Sequence, residues 1–331
     1  MSAVPSHLYR YRPLDEALFE REFEALKNAF LWSPHFREMN DPMEAFYELG
    51  GAADPILDAL MLPSGKSTRT IYDMLRNTID NFCLVSLSTS HRALPMWAYY
   101  ASNFAGMCLE FRTNELFIGD FQNERLLPVT YAETPPPSIQ FHHLGSDAMQ
   151  TTLEGCLSRK RIDWQHEQEW RILTGAGGPR HYLDDALNRI YLGPRIADTH
   201  ASRICELFQD RPTEILRGQV RGYEFRFETI KPALALAHCN RIGAAKLNLD
   251  DLLYDRKGLE AFLDVPISKL EALLRSIVEQ PNVEEIVSCD LSGSHKGNAI
   301  YIWTTYRLRS GRDVWKKIYL DSKLRPLPEQ Q

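Results

Sequence analysis

The stretch Trp164-Gln165-His166-Glu167-Gln168-Glu169-Trp170-Arg171-Ile172-Leu173 sets two carboxylates and a guanidinium at alternate positions. A β-strand repeats its side-chain direction every two residues. As a strand, this stretch turns Glu167, Glu169 and Arg171 to one face and Gln168, Trp170 and Ile172 to the other. Two acids and a cation in line on a rigid element can move a proton or stabilise a developing positive charge. The same three side chains can also form a structural ion-pair ladder, with Arg171 neutralising its neighbours.

Two further segments carry groups that would complete such a site. Tyr9-Arg10-Tyr11-Arg12 alternates aromatic and basic residues. A guanidinium on that strand can grip phosphate with two parallel donors, or lie as a solvated edge paired with local acids. Ser88-Thr89-Ser90 ends an apolar run, where its hydroxyls can position a ribose or simply make strand-end turns. Trp97, Tyr99 and Tyr100 share a helical spacing that suits core or groove lining, and also stacking on a flat ligand.

The elements that must position these groups follow from periodicity. Leu8–Arg12 reads as a short strand closed by Pro13, and an amphipathic helix follows through Leu14, Leu18, Phe23, Leu26 and Phe30. Asn40-Asp41-Pro42 favours a turn. A helix is expected over Thr68–Asn81, a strand over Phe82–Ser88, helical turns over Leu94–Ala101 and a strand over Gly106–Phe111. Leu126–Tyr131 is a further strand, and Ser146–Lys160 a helix feeding the Glu167 strand. Ile190–Leu192 and Tyr223–Phe227 close this half. After Ile230-Lys231-Pro232 come a helical segment, Leu249–Glu279, and three strand-like runs, Glu285–Leu291, Ala299–Arg309 and Val314–Leu320. Serine–glycine turns separate those runs, as in a β-meander. Strands outnumber helices and alternate with them irregularly, which predicts an α+β fold rather than a doubly wound sheet. The expected domains are 1–232, holding the site, and 233–331, a smaller accessory α+β unit.

Bulk properties narrow the class. At 331 residues, 44% hydrophobic and 25% charged, the chain has the make-up of a globular protein of one large or two smaller domains. A net charge of −6 supplies no global field for gathering phosphates, which disfavours a dedicated nucleic-acid binder. Cys83, Cys108, Cys156, Cys205, Cys239 and Cys289 show no CxxC or CxH spacing, so they read as buried thiols of a reducing compartment rather than zinc ligands. The start, Met1-Ser2-Ala3-Val4-Pro5, lacks the basic and apolar regions of a signal peptide, and no apolar run approaches a membrane span. The expected location is cytoplasmic.

Three tempting signals fail. Ser64-Gly65-Lys66-Ser67 resembles the end of a phosphate loop, but Leu60 stands where that loop needs glycine. Thr174-Gly175-Ala176-Gly177-Gly178-Pro179 has Arg180 in place of the third glycine of a dinucleotide fingerprint and reads as a flexible connection. His142-His143 has no nearby carboxylate or thiol and reads as a solvated loop.

Taken in order, Arg10 or Arg12, Ser88-Thr89-Ser90 and Glu167-Gln168-Glu169 resemble the Arg–Ser–Glu class of ADP-ribosyltransferases. Leu8–Arg12 (LYRYR), Asn40–Pro42 (NDP), Met96–Tyr100 (MWAYY) and Glu167–Arg171 (EQEWR) are similar to a widespread bacterial family of uncharacterised function, over about residues 7–195. The first resemblance implies a mixed or split antiparallel sheet with an NAD-binding cleft, and cleavage of NAD with transfer to a protein, nucleic acid or water. No metal would be required. It further implies that Glu169 is the essential carboxylate, Glu167 the acceptor-side partner and Ser88 a positioning hydroxyl. Arg10, Arg12, Ser90, Tyr99, Tyr100 and Arg171 would contact NAD, and the setting would be bacterial defence or toxin action. No counterpart exists for the C-terminal unit, which would serve a protein partner. A non-catalytic module that binds a nucleotide or a partner through the same face is the second expectation. A metal-dependent nuclease ranks last, because the strand offers arginine where a lysine and clustered acids are needed.

Overall fold

The computed structural model describes residues 3–41, 43, 48, 67–139, 147–295 and 298–327. The phosphate-loop-like residues 64–66, Pro42 and His142-His143 lie outside the described residues. The strands are β1 (His7–Arg12), β2 (Phe30–Ser33), β3 (Cys83–Ser88), β4 (Met107–Arg112), β5 (Arg125–Pro128), β6 (Thr130–Ala132), β7 (Arg159–Arg161), β8 (Glu169–Thr174), β9 (Gly178–His181), β10 (Leu187–Leu192), β11 (Glu214–Arg221) and β12 (Glu224–Lys231) in the first part. In the last part they are β13 (Val283–Leu291), β14 (Ile300–Arg307), β15 (Asp313–Leu320) and β16 (Pro326–Leu327). The helices are α1 (Phe19–Lys27), α2 (Thr68–Asp80), α3 (Leu94–Tyr100), α4 (Thr113–Leu116), α5 (Asp147–Leu157), α6 (Asp198–Leu207), α7 (Leu249–Leu252), α8 (Arg256–Phe262) and α9 (Ile267–Val278).

The protein is α+β. Eight strands form one mixed sheet in the order β12-β11-β10-β4-β1-β3-β8-β5, in which only β10 and β11 run parallel. Four antiparallel strands, β13-β14-β15-β16, form a second sheet backed by α7, α8 and α9. This C-terminal core also takes in Ile118 and Leu183 from the first part, and Arg309 grips Asp184 with Nε–Oδ1 at 2.8 Å and Nη2–Oδ2 at 2.5 Å.

Alternation along the strands divides the large sheet into two faces. Leu8, Val85, Leu87, Leu109, Phe111, Trp170, Ile172, Ile190 and Leu192 point to one side and pack under α1 and α6 in the main core. The other side carries two separate apolar clusters. Phe36, Tyr72, Leu75, Ile79, Leu84, Cys156, Leu157 and Leu173 cover the β3–β8 end. Tyr11, Met96, Trp97, Cys108 and Tyr191 cover the β1–β4–β10 end beneath α3.

The sheet is open in the middle. β1 and β3 share a single register pair, Tyr9 with Ser88, before they part. Beyond that point the edge of β3 is taken by the Pro34–Phe36 segment, through Leu84 N–H to Pro34 O (3.1 Å), Phe36 N–H to Phe82 O (2.8 Å) and the His35–Cys83 bridge. Arg10 crosses the gap and donates from Nη1 to the Ser86 carbonyl, so a side chain supplies the hydrogen bond that the absent ladder leaves unmade.

Several local expectations are corrected. Residues 162–167 form a 3₁₀ turn rather than strand, and Gln168 sits in the left-handed region (φ 46°), so β8 begins at Glu169. The expected strand Leu126–Tyr131 is two strands parted at Val129, whose N–H bonds the Glu169 carbonyl (2.9 Å). Gly178 and Pro179, read as part of a flexible connection, instead begin β9, which pairs with β2. Leu249–Glu279 breaks into three helices, and α6 and β11 carry no clear sequence signal.

Candidate functional site

Three chain segments meet at the opening between β1 and β3. Glu169 starts β8 and lies in register with Ser88, which lies in register with Tyr9. Side chains opposite one another in a sheet share a face, so Glu169 looks across β3 toward the gap. Its backbone is fixed on both sides, by the Tyr131 hydroxyl accepting from Glu169 N–H (2.8 Å) and by Val129 N–H. The turn before it is clamped to β3, with Ser88 Oγ donating to the Glu167 carbonyl (2.7 Å) and Thr89 N–H to the Gln168 carbonyl (3.2 Å). The left-handed Gln168 reverses the chain, so Glu167 reaches the same cleft without belonging to the strand.

The cleft encloses about 220 Å³ and is lined by Arg10, Arg12, Ser86, Ser88, Tyr100, Lys160, Glu167 and Glu169, among others. Lys160 Nζ lies 2.7 Å from Glu167 Oε2 and 3.5 Å from Glu169 Oε2, bridging the two carboxylates. Tyr100 donates to Glu167 Oε1 (2.5 Å). Behind Glu169, Arg171 supplies Nε to Oε1 (2.9 Å) and Nη2 to Oε2 (3.0 Å), while its Nη1 donates to the Leu157 carbonyl (2.6 Å). Ser86 Oγ is buried beside the Glu169 carboxylate without a well-aligned hydrogen bond.

These neighbours drive the two acids apart. Burial alone would raise Glu169, but Arg171 and Lys160 outweigh it and hold the carboxyl at about 2. Burial dominates for Glu167 and raises it above the ordinary glutamate value, assisted by the nearby Glu169 charge and opposed by Lys160 and Tyr100. One carboxylate is thus locked in its anionic form, and the other is moved toward the range where a group exchanges protons near neutral pH.

The arginines differ. Arg12 is committed to Glu22, with Nε–Oε2 at 2.6 Å and a second bond from Nη2, and Arg21 shares the same carboxylate. Arg10 borders the cleft and is half-buried. Burial, with Arg12 adding to it, pushes its pKa down to about 9, so it remains a cation at neutral pH. Among the described residues it has no carboxylate within ion-pair distance. Glu22 and Glu169 act on it from beyond contact distance, so among the described residues its guanidinium has no direct carboxylate partner, and such a group favours an anion. Arg10, Arg12 and Pro34 also line an adjoining hollow of about 600 Å³ on the other face of the sheet, floored by Leu26, Leu31, Met107, Leu109 and Tyr182. The two spaces meet at the arginines.

Of the residues singled out from sequence, Arg10, Arg12, Ser88, Tyr100, Glu167 and Glu169 line the cleft, and three do not. Tyr99 is 70% exposed and turned outward on α3. The Ser90 hydroxyl accepts from Arg92 N–H (3.1 Å), and its carbonyl accepts from Tyr11 (2.9 Å). Arg171 is 0% exposed, so it supports Glu169 and cannot touch a ligand. Ser88 contacts the Glu167 backbone, which makes it a positioning residue. Sequence reasoning missed Lys160. Its only signal is the Arg159-Lys160-Arg161 run, where period two in β7 sends the middle side chain opposite to the arginines.

Residues 96–172 match a family described as a protein of unknown function (DUF2971). That segment supplies Tyr100, Lys160, Glu167, Glu169 and Arg171, and leaves β1 and Ser88 outside it. No curated protein and no solved structure matches the chain. No helix among the described residues is long and apolar enough to cross a membrane.

Proposed function

We propose that the cleft binds NAD and cleaves its nicotinamide–ribose bond, passing ADP-ribose to an acceptor or to water. The observation that carries this reading is the Arg10 guanidinium, without a carboxylate in contact among the described residues, beside two carboxylates of opposite pKa displacement. At about 220 Å³ the cleft suits a nicotinamide riboside end rather than a whole dinucleotide, and the adjoining hollow of about 600 Å³ has room for the remainder. With the diphosphate on Arg10 at the junction, the sugar would face Glu169. As the C1′–N bond breaks, its electron pair leaves with nicotinamide and positive charge grows on the ribose. A fixed anion stabilises that charge. The acceptor then attacks C1′ and its proton passes to Glu167, whose raised pKa suits a base.

One observation favours a second reading, a nucleotide-binding module without turnover. Both oxygens of Glu169 are already held by Arg171, which reduces the negative charge it can offer a substrate.

The two readings part in one experiment. Either predicts that millimolar NAD or ADP-ribose raises the melting temperature, because a ligand bound only to the folded state stabilises it by RT ln(1 + [L]/Kd). The first predicts that NAD is consumed during the incubation and that EDTA does not stop it. The second predicts intact NAD. Absence of any melting shift with either ligand would overturn both.

A further inference from the structure

The two outer strands of the large sheet differ. β5 ends one side with four residues, the last of them Pro128. β12 ends the other with eight residues, Glu224–Lys231, and contains no proline. A long regular edge offers its unpaired N–H and C=O groups to another chain unless something blunts it. Among the described residues, β11 is the only segment whose hydrogen bonds reach the β12 backbone.

The hairpin decides which groups face that edge. Gly222-Tyr223 is a two-residue turn, with Gly222 at φ 62°, and Arg221 faces Glu224 across it. Such a turn closes on a hydrogen-bonded pair, and bonded and non-bonded pairs alternate from there. Glu224, Arg226 and Glu228 therefore bond inward to β11. Phe225, Phe227 and Thr229 aim their N–H and C=O groups at the free edge. The side chains alternate as well. Phe225 and Phe227 pack against the Trp97 and Tyr191 cluster, and Glu224, Arg226, Glu228 and Ile230 stand exposed on the opposite face.

We propose that β12 pairs antiparallel with β12 of a second copy of this chain, about a two-fold axis at Phe227. A two-fold interface uses the same patch twice, and it keeps like faces of the sheet together. One residue must then lie opposite itself. Centred on Arg226, the pairing sets Arg226 against Arg226 and Glu224 against Glu228. Centred on Glu228, it sets Glu228 against Glu228. Centred on Phe227, it sets each Arg226 opposite the partner's Glu228, in the non-bonded pairs where facing side chains stand closest. Like charges directly opposite destabilise a sheet and opposite charges support it, so charge selects the Phe227 register over both neighbours. In that register Phe227 bonds Phe227 and Phe225 bonds Thr229, which uses the backbone groups that β11 leaves free. In the single chain Arg226 is paired with Glu224, and Glu228 with Arg221 at 2.8 Å. Exposed pairs of this kind hold weakly, so exchanging them costs little.

Sedimentation velocity of the full chain, at tens of micromolar, reads the outcome. The wild type should dimerise. Arg226→Glu and Glu228→Arg should each weaken the dimer at least tenfold, because either sets like charges opposite one another at both 226–228 contacts. An equimolar mixture of the two variants should dimerise again, since every such contact between the unlike chains is once more between opposite charges. Arg226 and Glu228 are 66% and 50% exposed, so neither change reaches the core. A wild type that stays monomeric would overturn the proposal. So would a dimer indifferent to both substitutions, or a mixture that fails to reassociate.

Discussion

Arg171→Met is expected to destabilise the protein by about 3–5 kcal/mol, the usual consequence of removing one partner of a buried ion pair. Arg171 is fully enclosed on β8, and its guanidinium supplies the two shortest contacts to the Glu169 oxygens. Without it, Lys160, 3.5 Å away, is the cation left within ion-pair distance of Glu169 among the described residues. Glu169→Gln alone should also cost several kcal/mol, because it strands the arginine. Glu169→Gln/Arg171→Met should be far less destabilised than the sum of its parts, since a neutral pair leaves no bare charge. Urea unfolding of the four proteins measures this cycle, and strict additivity would mean that the pair is not coupled.

The coupling has a pH signature. Glu169 is held at about 2, below its ordinary 4.5, so its contribution to stability is complete above about 4.5. It is lost as the pH falls toward 2. The melting-temperature gap between wild type and Glu169→Gln should therefore narrow across that interval. Glu167, displaced upward, acts with the opposite sign: its contribution is present below 4.5 and lost as the pH rises through its raised value.

The second large effect concerns binding. Arg10→Met should weaken NAD and ADP-ribose about a hundredfold, in line with ~1.5–3 kcal/mol for hydrogen bonds to a charged group. The same change should leave the ligand-free protein as stable as wild type or more so. It removes a half-buried cation that has no carboxylate in contact among the described residues, at the cost of one bond to the Ser86 carbonyl. Loss of ligand response without loss of stability is what separates a binding arginine from a structural one. Arg12→Met, by contrast, would strip the buried Glu22 of its bidentate partner and should destabilise the protein whether ligand is present or not.

How much of this could be read from the chain depends on which physical rule governs each residue. Period two sets Glu169 and Arg171 on one face, because β8 is regular where they stand. Arg10 alternates with Leu8 toward the opposite face and reaches the cleft only through the opening between β1 and β3. The same rule failed at Glu167. A left-handed Gln168 resets the chain, and nothing in Gln-Glu-Gln-Glu announces a positive φ. Glu167 reaches the cleft through that reversal and the Ser88 clamp, not through strand alternation. Lys160 was invisible for another reason. Its partnership with both acids is made by tertiary placement of a three-residue strand, which no local pattern encodes. The opening between β1 and β3 is likewise a product of competition. Pro34–Phe36 occupies the β3 edge that β1 would otherwise continue along. The α+β class was legible because strand and helix periodicities persist over whole segments, and the C-terminal meander because its serine–glycine turns stand between alternating runs.

Counting nicotinamide released from NAD by the full chain, with Glu167→Gln alongside, tests the proposed glycosidic chemistry most directly. Glu167 is the better probe of chemistry, since Glu169 cannot be neutralised without disturbing Arg171. The expected result is release by the wild type and at least a hundredfold slower release by a variant that still melts cooperatively and still binds ADP-ribose. Undiminished release by Glu167→Gln would contradict its assignment as the base. No release by the wild type, with NAD recovered intact, would contradict the glycosidic chemistry itself.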